Sequence, residues 1–186
     1  MADYISKYFL NKELKVFYKF MYMSLLAFGL VNIAYSDEVT ELEEFSSKTG
    51  VVTLVEYTSG KKHSVLGGHF EVQKRKVGSV SRPGSVKGVQ VIVKRGQYTG
   101  SAFIDLEEID GLIEGIEYIL TVTKEVTDLE NFEAKFSTVG GLNITVFNSS
   151  DGSLSSSLQA GSYNVFPEVS ELSLLLEDLR SAKDTL

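Results

Sequence analysis

The chain of 186 residues has no cysteine, no tryptophan and only two prolines. Without cysteine it can form no disulfide, no thiolate metal site and no cysteine nucleophile. An exported chain of this kind must be held together by its packed core, which is more typical of bacterial envelope proteins than of small secreted eukaryotic domains. The lack of tryptophan and of proline-rich stretches excludes a tryptophan-lined carbohydrate platform and a proline-rich linker.

Recognisable catalytic and cofactor motifs are also missing. The sequence contains no GxSxG elbow, no phosphate-binding glycine loop and no HExxH pair. The two histidines, His63 and His69, lie near Glu71, but their spacing matches no metal-ligand signature. We therefore expect a non-enzymatic protein with no catalytic residues, no metal and no cofactor. A hydrolase whose site is built from scattered side chains is the alternative.

The first 36 residues have the pattern of a secretory signal. Lys12, Lys15 and Lys19 precede the apolar run Met21–Ile33, and small residues stand at Ala34 and Ser36 before the chain turns acidic. A basic region, a short apolar region and a small-x-small exit are typical of a cleaved signal peptide. A retained membrane anchor is the alternative, but the run is shorter than the roughly 20 residues that a membrane span needs. We expect residues 1–36 to be removed, leaving no stable membrane insertion and a periplasmic or extracellular protein.

The charge of the chain is unevenly distributed. The whole sequence has 18 basic and 25 acidic residues, and removal of residues 1–36 would leave 14 and 23, a formal charge of −9. Nine of those basic residues fall between Lys61 and Arg95, where Glu71 is the one acid. Such a local patch can bind an anionic partner in the envelope or outside the cell. The predicted binding residues are Lys74, Arg75, Lys76, Arg82, Lys87, Lys94 and Arg95. The alternative is ordinary solvated charge that protects strand edges from aggregation.

Turn signals divide the remaining chain into three segments. Residues 37–49 are predicted to be an acidic spacer or a short helical turn. Residues 50–123 and 124–186 each contain about four strand-like stretches followed by a helix-like stretch, with Gly78–Gly88 predicted as a long loop. The predicted fold is therefore α+β, with two tandem antiparallel sheet-plus-helix units of about ββββα each. The two units could equally form one continuous domain.

Two amphipathic helices organise these units. Asp105–Leu120 carries apolar residues at helical spacing, with Asp105 as N-cap and Glu108 in the capping-box position. A second helix, Glu171–Lys183, has the same pattern, and Ser170 can cap it. Six apolar positions, from Phe103 to Ile116 and from Phe166 to Leu179, coincide at an offset of 63 residues, which favours internal duplication over chance similarity. We expect each helix to cover its own sheet.

One face of the first helix is a candidate interface. Gly111 and Gly115 lie four residues apart near Tyr118, on the side opposite the predicted apolar stripe. An exposed helical glycine costs roughly 1 kcal/mol relative to alanine, so a close contact with the other helix or with a second copy would explain the pair. A homo-oligomer is therefore one possibility. The alternative is that the two glycines arose by neutral sequence drift in a helix that tolerates them.

Strand-rich units that are each followed by a helix resemble the element order of the PUR and Whirly single-stranded nucleic-acid binders. The resemblance covers element order alone, because no sequence motif of either family is present. It implies a positive groove with stacking aromatic rings, for which Tyr57, Phe70 and Tyr98 are candidates. The acidic balance of the chain and its predicted export argue against nucleic acid as the partner.

Overall fold

The computed structural model describes residues 39–80, 82–149 and 151–186, without the side chains of Arg82 and Pro83. The predicted signal peptide, residues 1–36, lies outside the described residues, as does the start of the predicted acidic spacer. The described residues belong to one compact unit.

The chain is α+β, with two antiparallel sheets. The first sheet is built from β1 (Thr53–Thr58), β2 (His63–Val65), β3 (Gly68–Ser79), β4 (Arg82–Arg95) and β5 (Tyr98–Asp105). Its order is β1-β3-β4-β5, and the short β2 also pairs with β3. The second sheet has the order β6-β7-β8-β9, with β6 (Glu133–Ser137), β7 (Leu142–Asn148), β8 (Leu154–Ala160) and β9 (Tyr163–Val165).

In the part of the chain that the structure describes, three α-helices accompany the sheets. They are α1 (Glu41–Ser46), α2 (Ile109–Leu120) and α3 (Leu172–Lys183). A 3₁₀ turn precedes each long helix, at Leu106–Glu108 before α2 and at Val169–Glu171 before α3. The corresponding boundaries differ by 63 residues, the same offset that the sequence pattern indicates.

The core lies between the inner faces of the two sheets. Alternate residues of the central strands are apolar and fully buried, as a strand with one covered face requires; they include Val89, Val91 and Val93 of β4 and Ile144 and Leu158 of the second sheet. Strands β4 and β5 contact β8 and β9 directly. The approach is close at Gly100, where a Cβ would lie 2.0 Å from the carbonyl oxygen of Ala160.

The long helices cover the sheets reciprocally. Helix α2, which follows the first sheet, packs on β6 and β7 of the second sheet, whereas α3 packs on β3 and β4 of the first. The expectation that each helix covers its own sheet is therefore wrong. Because β4 and β5 are already covered by β8 and β9, a helix that follows β5 finds free apolar surface on the other sheet. The two helices also contact each other, and the ion pairs Glu117–Arg180 and Asp110–Lys183 join them.

The prediction of a loop at Gly78–Gly88 is wrong. This stretch is a hairpin of two long strands, in which Val77 pairs with Val86 and Gly78 with Ser85. Its glycines and serines favour a turn locally, but pairing with β3, joined by β5 only at Gly88, extends the strand through them. The glycine and proline content is instead accommodated by an irregular register beyond Gly78 and by the positive φ of Gly84.

The predicted capping box of α2 is also wrong, because both carboxylates serve distant parts of the chain. Asp105 accepts hydrogen bonds from the N–H groups of Glu41 and Leu42, at 2.6 and 3.0 Å, and so caps α1. Glu108 accepts a bond of 2.8 Å from the N–H of Val139. Before α3, the side chain of Glu171 accepts a hydrogen bond from the N–H of Glu168, which is the N-cap of the 3₁₀ turn. The cap therefore lies two residues before Ser170, the predicted cap.

Candidate functional site

Strand register sorts the predicted basic residues onto two faces of the first sheet. Lys74 and Lys76 of β3 alternate with Arg75, so the two lysines share the face that also carries the core residues further along the strand. Lys87 of β4 is directly opposite Lys76 and therefore joins them. Three of the seven predicted residues are thus brought together.

These three lysines line a cleft at the end of the core, which we call the lysine cleft. It has a volume of about 270 Å³ and is lined by Glu56, Tyr57, Thr58, Lys74, Arg75, Lys76, Lys87, Thr185 and Leu186. Of the described residues that line it, four are basic and Glu56 is the one acid. The lysine cleft therefore carries an excess of positive charge on an otherwise acidic chain.

Each ammonium group in the lysine cleft has a weak or exposed partner. Lys74 Nζ donates a hydrogen bond of 3.0 Å to the hydroxyl of Thr185, and Lys87 Nζ donates to the main-chain oxygen of Leu186. Lys76 Nζ is 2.9 Å from a carboxylate oxygen of Glu56, and both side chains of this pair are about half exposed. An exposed ion pair such as Lys76–Glu56 contributes roughly 0–1 kcal/mol, so an incoming anion can replace this contact at little cost.

Arg75 lies on the reverse face of the first sheet, between two aromatic rings. Its guanidinium carbon is 5.5 Å from the centre of the Tyr57 ring and 5.6 Å from that of Phe103. Its Nε has no hydrogen-bond partner among the described residues. Burial lowers the pKa of Arg75, an effect that the nearby Tyr57 opposes. Arg75 also lines the lysine cleft, but its guanidinium lies beside the two rings, where it can bind an anion or a π-system.

The remaining predicted basic residues lie away from the lysine cleft. Lys94 and Arg95 are exposed at the far end of β4, where Lys94 is opposite Thr99 and Arg95 opposite Tyr98. Seven residues of strand separate Lys94 from Lys87, which corresponds to roughly 23 Å. Arg82 begins β4, and its side chain lies outside the described part of the chain.

The predicted interface residues of the first helix do not share one environment. A Cβ at Gly115 would lie 2.4 Å from the ring of Phe136 in β6, so this glycine allows α2 to approach the second sheet of its own chain. Gly111 is exposed, with nothing within 4 Å of its Cβ position, and Tyr118 is also exposed. The helical pattern predicted that Gly115 lies on the side opposite the apolar stripe. This prediction is wrong, because Gly115 faces the second sheet.

A pair formed by a buried histidine and an aspartate is the main feature that sequence reasoning missed. His63 of β2 is only 7% exposed, stacks on Phe70 and lies 2.8 Å from a carboxylate oxygen of Asp178 in α3. The two residues are separated by 115 positions, so no local spacing could indicate the pair. The pair links β2 to α3 and thus helps to hold α3, which follows the second sheet, on the first sheet.

The reverse face of the first sheet also carries buried polar side chains. Gln73 donates a bond of 2.7 Å to Glu71 and one of 3.2 Å to the hydroxyl of Ser59. The second carboxylate oxygen of Glu71 and the amide oxygen of Gln90 have no partner among the described residues. This polar network lies beside Arg75, so the reverse face offers hydrogen-bonding groups next to two aromatic rings.

A pocket of about 630 Å³ beside β8 is lined by the carboxylates of Glu168 and Glu171 but by no histidine. A pocket of about 160 Å³ beside α3 has Asp178 as its one carboxylate, and His63 does not line it. No three histidine, aspartate or glutamate side chains of the described residues lie close enough together to hold a metal ion. Within the same ranges, no helix combines the length and apolar character needed to cross a lipid bilayer.

Comparisons with protein-family models, with curated proteins and with solved structures find no match to this chain.

Proposed function

We propose that this chain is an exported, non-enzymatic binding module that takes an anionic partner in the cell envelope or outside the cell. Residues 1–36 would direct export as a signal peptide, and the lysine cleft would be the contact surface. The observation that carries the proposal is the register that gathers Lys74, Lys76 and Lys87 around one cleft on an acidic chain.

The chemistry of the lysine cleft favours sulfate, phosphate or carboxylate groups. Ammonium groups bind these anions as point charges, and their long stems adapt to different spacings. The hydroxyl of Thr58 adds a neutral donor at the rim. Because the surrounding chain is acidic, the positive field is confined to the cleft, and bulk polyanions are repelled elsewhere.

The test is binding of a fluorescently labelled sulfated oligosaccharide, followed by anisotropy at physiological salt. The double variant Lys74→Gln/Lys87→Gln should weaken binding at least tenfold. The matched control is Lys94→Gln/Arg95→Gln, which removes the same charge at the far end of β4 and should change binding less than twofold. Equal losses in both variants would mean that net charge alone drives binding, and the proposal would fail.

A single-stranded nucleic-acid binder is the second candidate. It is favoured by the arginine between Tyr57 and Phe103 on the reverse face, because bases stack on aromatic rings and on guanidinium planes. Here Arg75→Gln should abolish binding of a labelled oligonucleotide, whereas Lys74→Gln/Lys87→Gln should leave it. The two candidates therefore predict opposite responses from the same pair of variants.

We also propose that the two sheet-plus-helix halves arose by duplication of one unit. This is supported by the shared offset of 63 residues at the 3₁₀ turns and helices. It is further supported by the reciprocal packing of α2 and α3, since each helix plays the same part toward the opposite sheet.

A further inference from the structure

The outer edge of β1 has no strand partner among the described residues. The strand is the terminal member of the first sheet, and its other side pairs with β3. Five of its six residues are exposed, including Leu54 at 53%, Val55 at 37% and Tyr57 at 64%. An exposed apolar edge strand is a template for pairing with another chain.

Proteins normally protect such an edge with charge or proline, and β1 has little of either. Its sequence TLVEYT has one charged residue, Glu56, whose carboxylate is paired with Lys76. The corresponding edge of the second sheet, β6, reads EAKFS and exposes Glu133 and Lys135 to solvent. The same chain therefore guards one edge and leaves the other apolar, which indicates that β1 is covered by a partner.

The backbone groups of β1 that point outward can be assigned. Val52 accepts a hydrogen bond of 3.2 Å from the N–H of Val80, so its backbone groups face β3. In an antiparallel ladder the facing direction alternates, and Leu54, Glu56 and Thr58 therefore also face β3. The N–H and C=O groups of Thr53, Val55 and Tyr57 point outward, away from the sheet.

We infer that β1 pairs antiparallel with β1 of a second copy of this chain, about a two-fold axis at Val55. This register places Val55 opposite the partner's Val55 and Tyr57 opposite the partner's Thr53, an aromatic–β-branched pair of the kind that stabilises sheets. A register shifted by two residues would place Glu56 opposite the partner's Glu56, and like charges directly opposite destabilise the pair. The Val55 register avoids this repulsion, and the dimer has one continuous sheet.

The test is the mass of the isolated protein in solution, measured by light scattering over a dilution series. The native chain should have the mass of a dimer. Val55→Lys would place two ammonium groups opposite each other at the axis and should weaken association at least tenfold, without changing the circular dichroism spectrum. The matched control is Leu129→Lys, an equally conspicuous exposed apolar residue outside the edge, which should leave the dimer intact.

The absence of native cysteine allows the register itself to be tested. A cysteine at Val55 should be cross-linked between copies by a short bifunctional maleimide, whereas one at Leu129 should not. A native chain that is monomeric at every concentration, a Val55→Lys variant that stays dimeric, or cross-linking at Leu129 in preference to Val55 would each overturn the inference. The inference does not depend on the lysine cleft, since it is independent of any anionic ligand.

Discussion

Alanine substituted for two glycines of α2 should have opposite effects on stability. Gly111 and Gly115 lie one turn apart on the same helix, so Gly→Ala gives each the same gain in helix propensity, about 1 kcal/mol. Gly111 has open space around its Cβ position, whereas a Cβ at Gly115 would lie 2.4–2.9 Å from three ring atoms of Phe136. The difference between the two variants therefore isolates the contact between α2 and β6.

The expected magnitudes follow from these distances. Gly111→Ala should raise the free energy of unfolding by up to about 1 kcal/mol, or roughly 2–4 °C in Tm for a chain of this size. At Gly115 the ring must move, and overpacking of this kind costs about 1–3 kcal/mol. The helix propensity offsets part of that cost, so Gly115→Ala should lower the free energy of unfolding by up to about 2 kcal/mol.

The assay is urea unfolding of both variants beside the parent chain. A third variant, Gly115→Ala/Phe136→Leu, is compared with Phe136→Leu alone as the control, because the smaller side chain relieves the clash and Gly115→Ala should then stabilise. If Gly115→Ala stabilises the native background as much as Gly111→Ala does, α2 does not pack on β6. The reciprocal covering of the two sheets would then be refuted.

Two further predictions concern buried polar contacts. Asp178→Ala should lower the free energy of unfolding by about 1–3 kcal/mol in urea, because it leaves the buried ring of His63 without its partner, and Asp178→Asn, which keeps an acceptor, should lose less. Burial raises the pKa of Glu108. The nearby charge of Asp105 also raises it, whereas the hydrogen bond from Val139 lowers it. The native state therefore binds the carboxyl proton of Glu108 more tightly than the unfolded chain does. The native chain therefore loses stability as pH rises from the unfolded to the raised folded pKa. Glu108→Gln should be more stable than the parent at neutral pH, and thermal melts should show the difference vanish below about pH 4; an unchanged difference at low pH would contradict the reasoning.

The elements of this fold could be predicted from the sequence where the deciding interactions are local. Helix α3 begins within one residue of the prediction and ends at Lys183 as predicted, because its stripe of leucines repeats at helical spacing. The four strand-like stretches predicted between residues 124 and 186 correspond to β6 to β9, because alternation and glycine turns mark them. The α+β class with antiparallel sheets follows from the same patterns.

Contacts between distant segments could not be predicted in this way. Gly78–Gly88 has the composition of a loop, and its pairing within the β3–β4 hairpin makes most of it strand. Asp105 has the position of an N-cap for its own helix, but the main-chain N–H groups that it satisfies are 64 and 63 residues away. Among the predicted binding residues, alternation alone separates Arg75 from Lys74, but the partner strand is needed to add Lys87.

The reciprocal covering has a consequence for the history of the chain. Under the proposed duplication, a solitary ancestral unit would have carried a helix that reaches past its own sheet and an apolar sheet face that its own helix leaves bare. Burying both requires a twin, so the ancestor would have functioned as an interlocked pair before the two genes were fused. Fusion would then have turned a concentration-dependent assembly into a single chain whose halves are always within reach of each other.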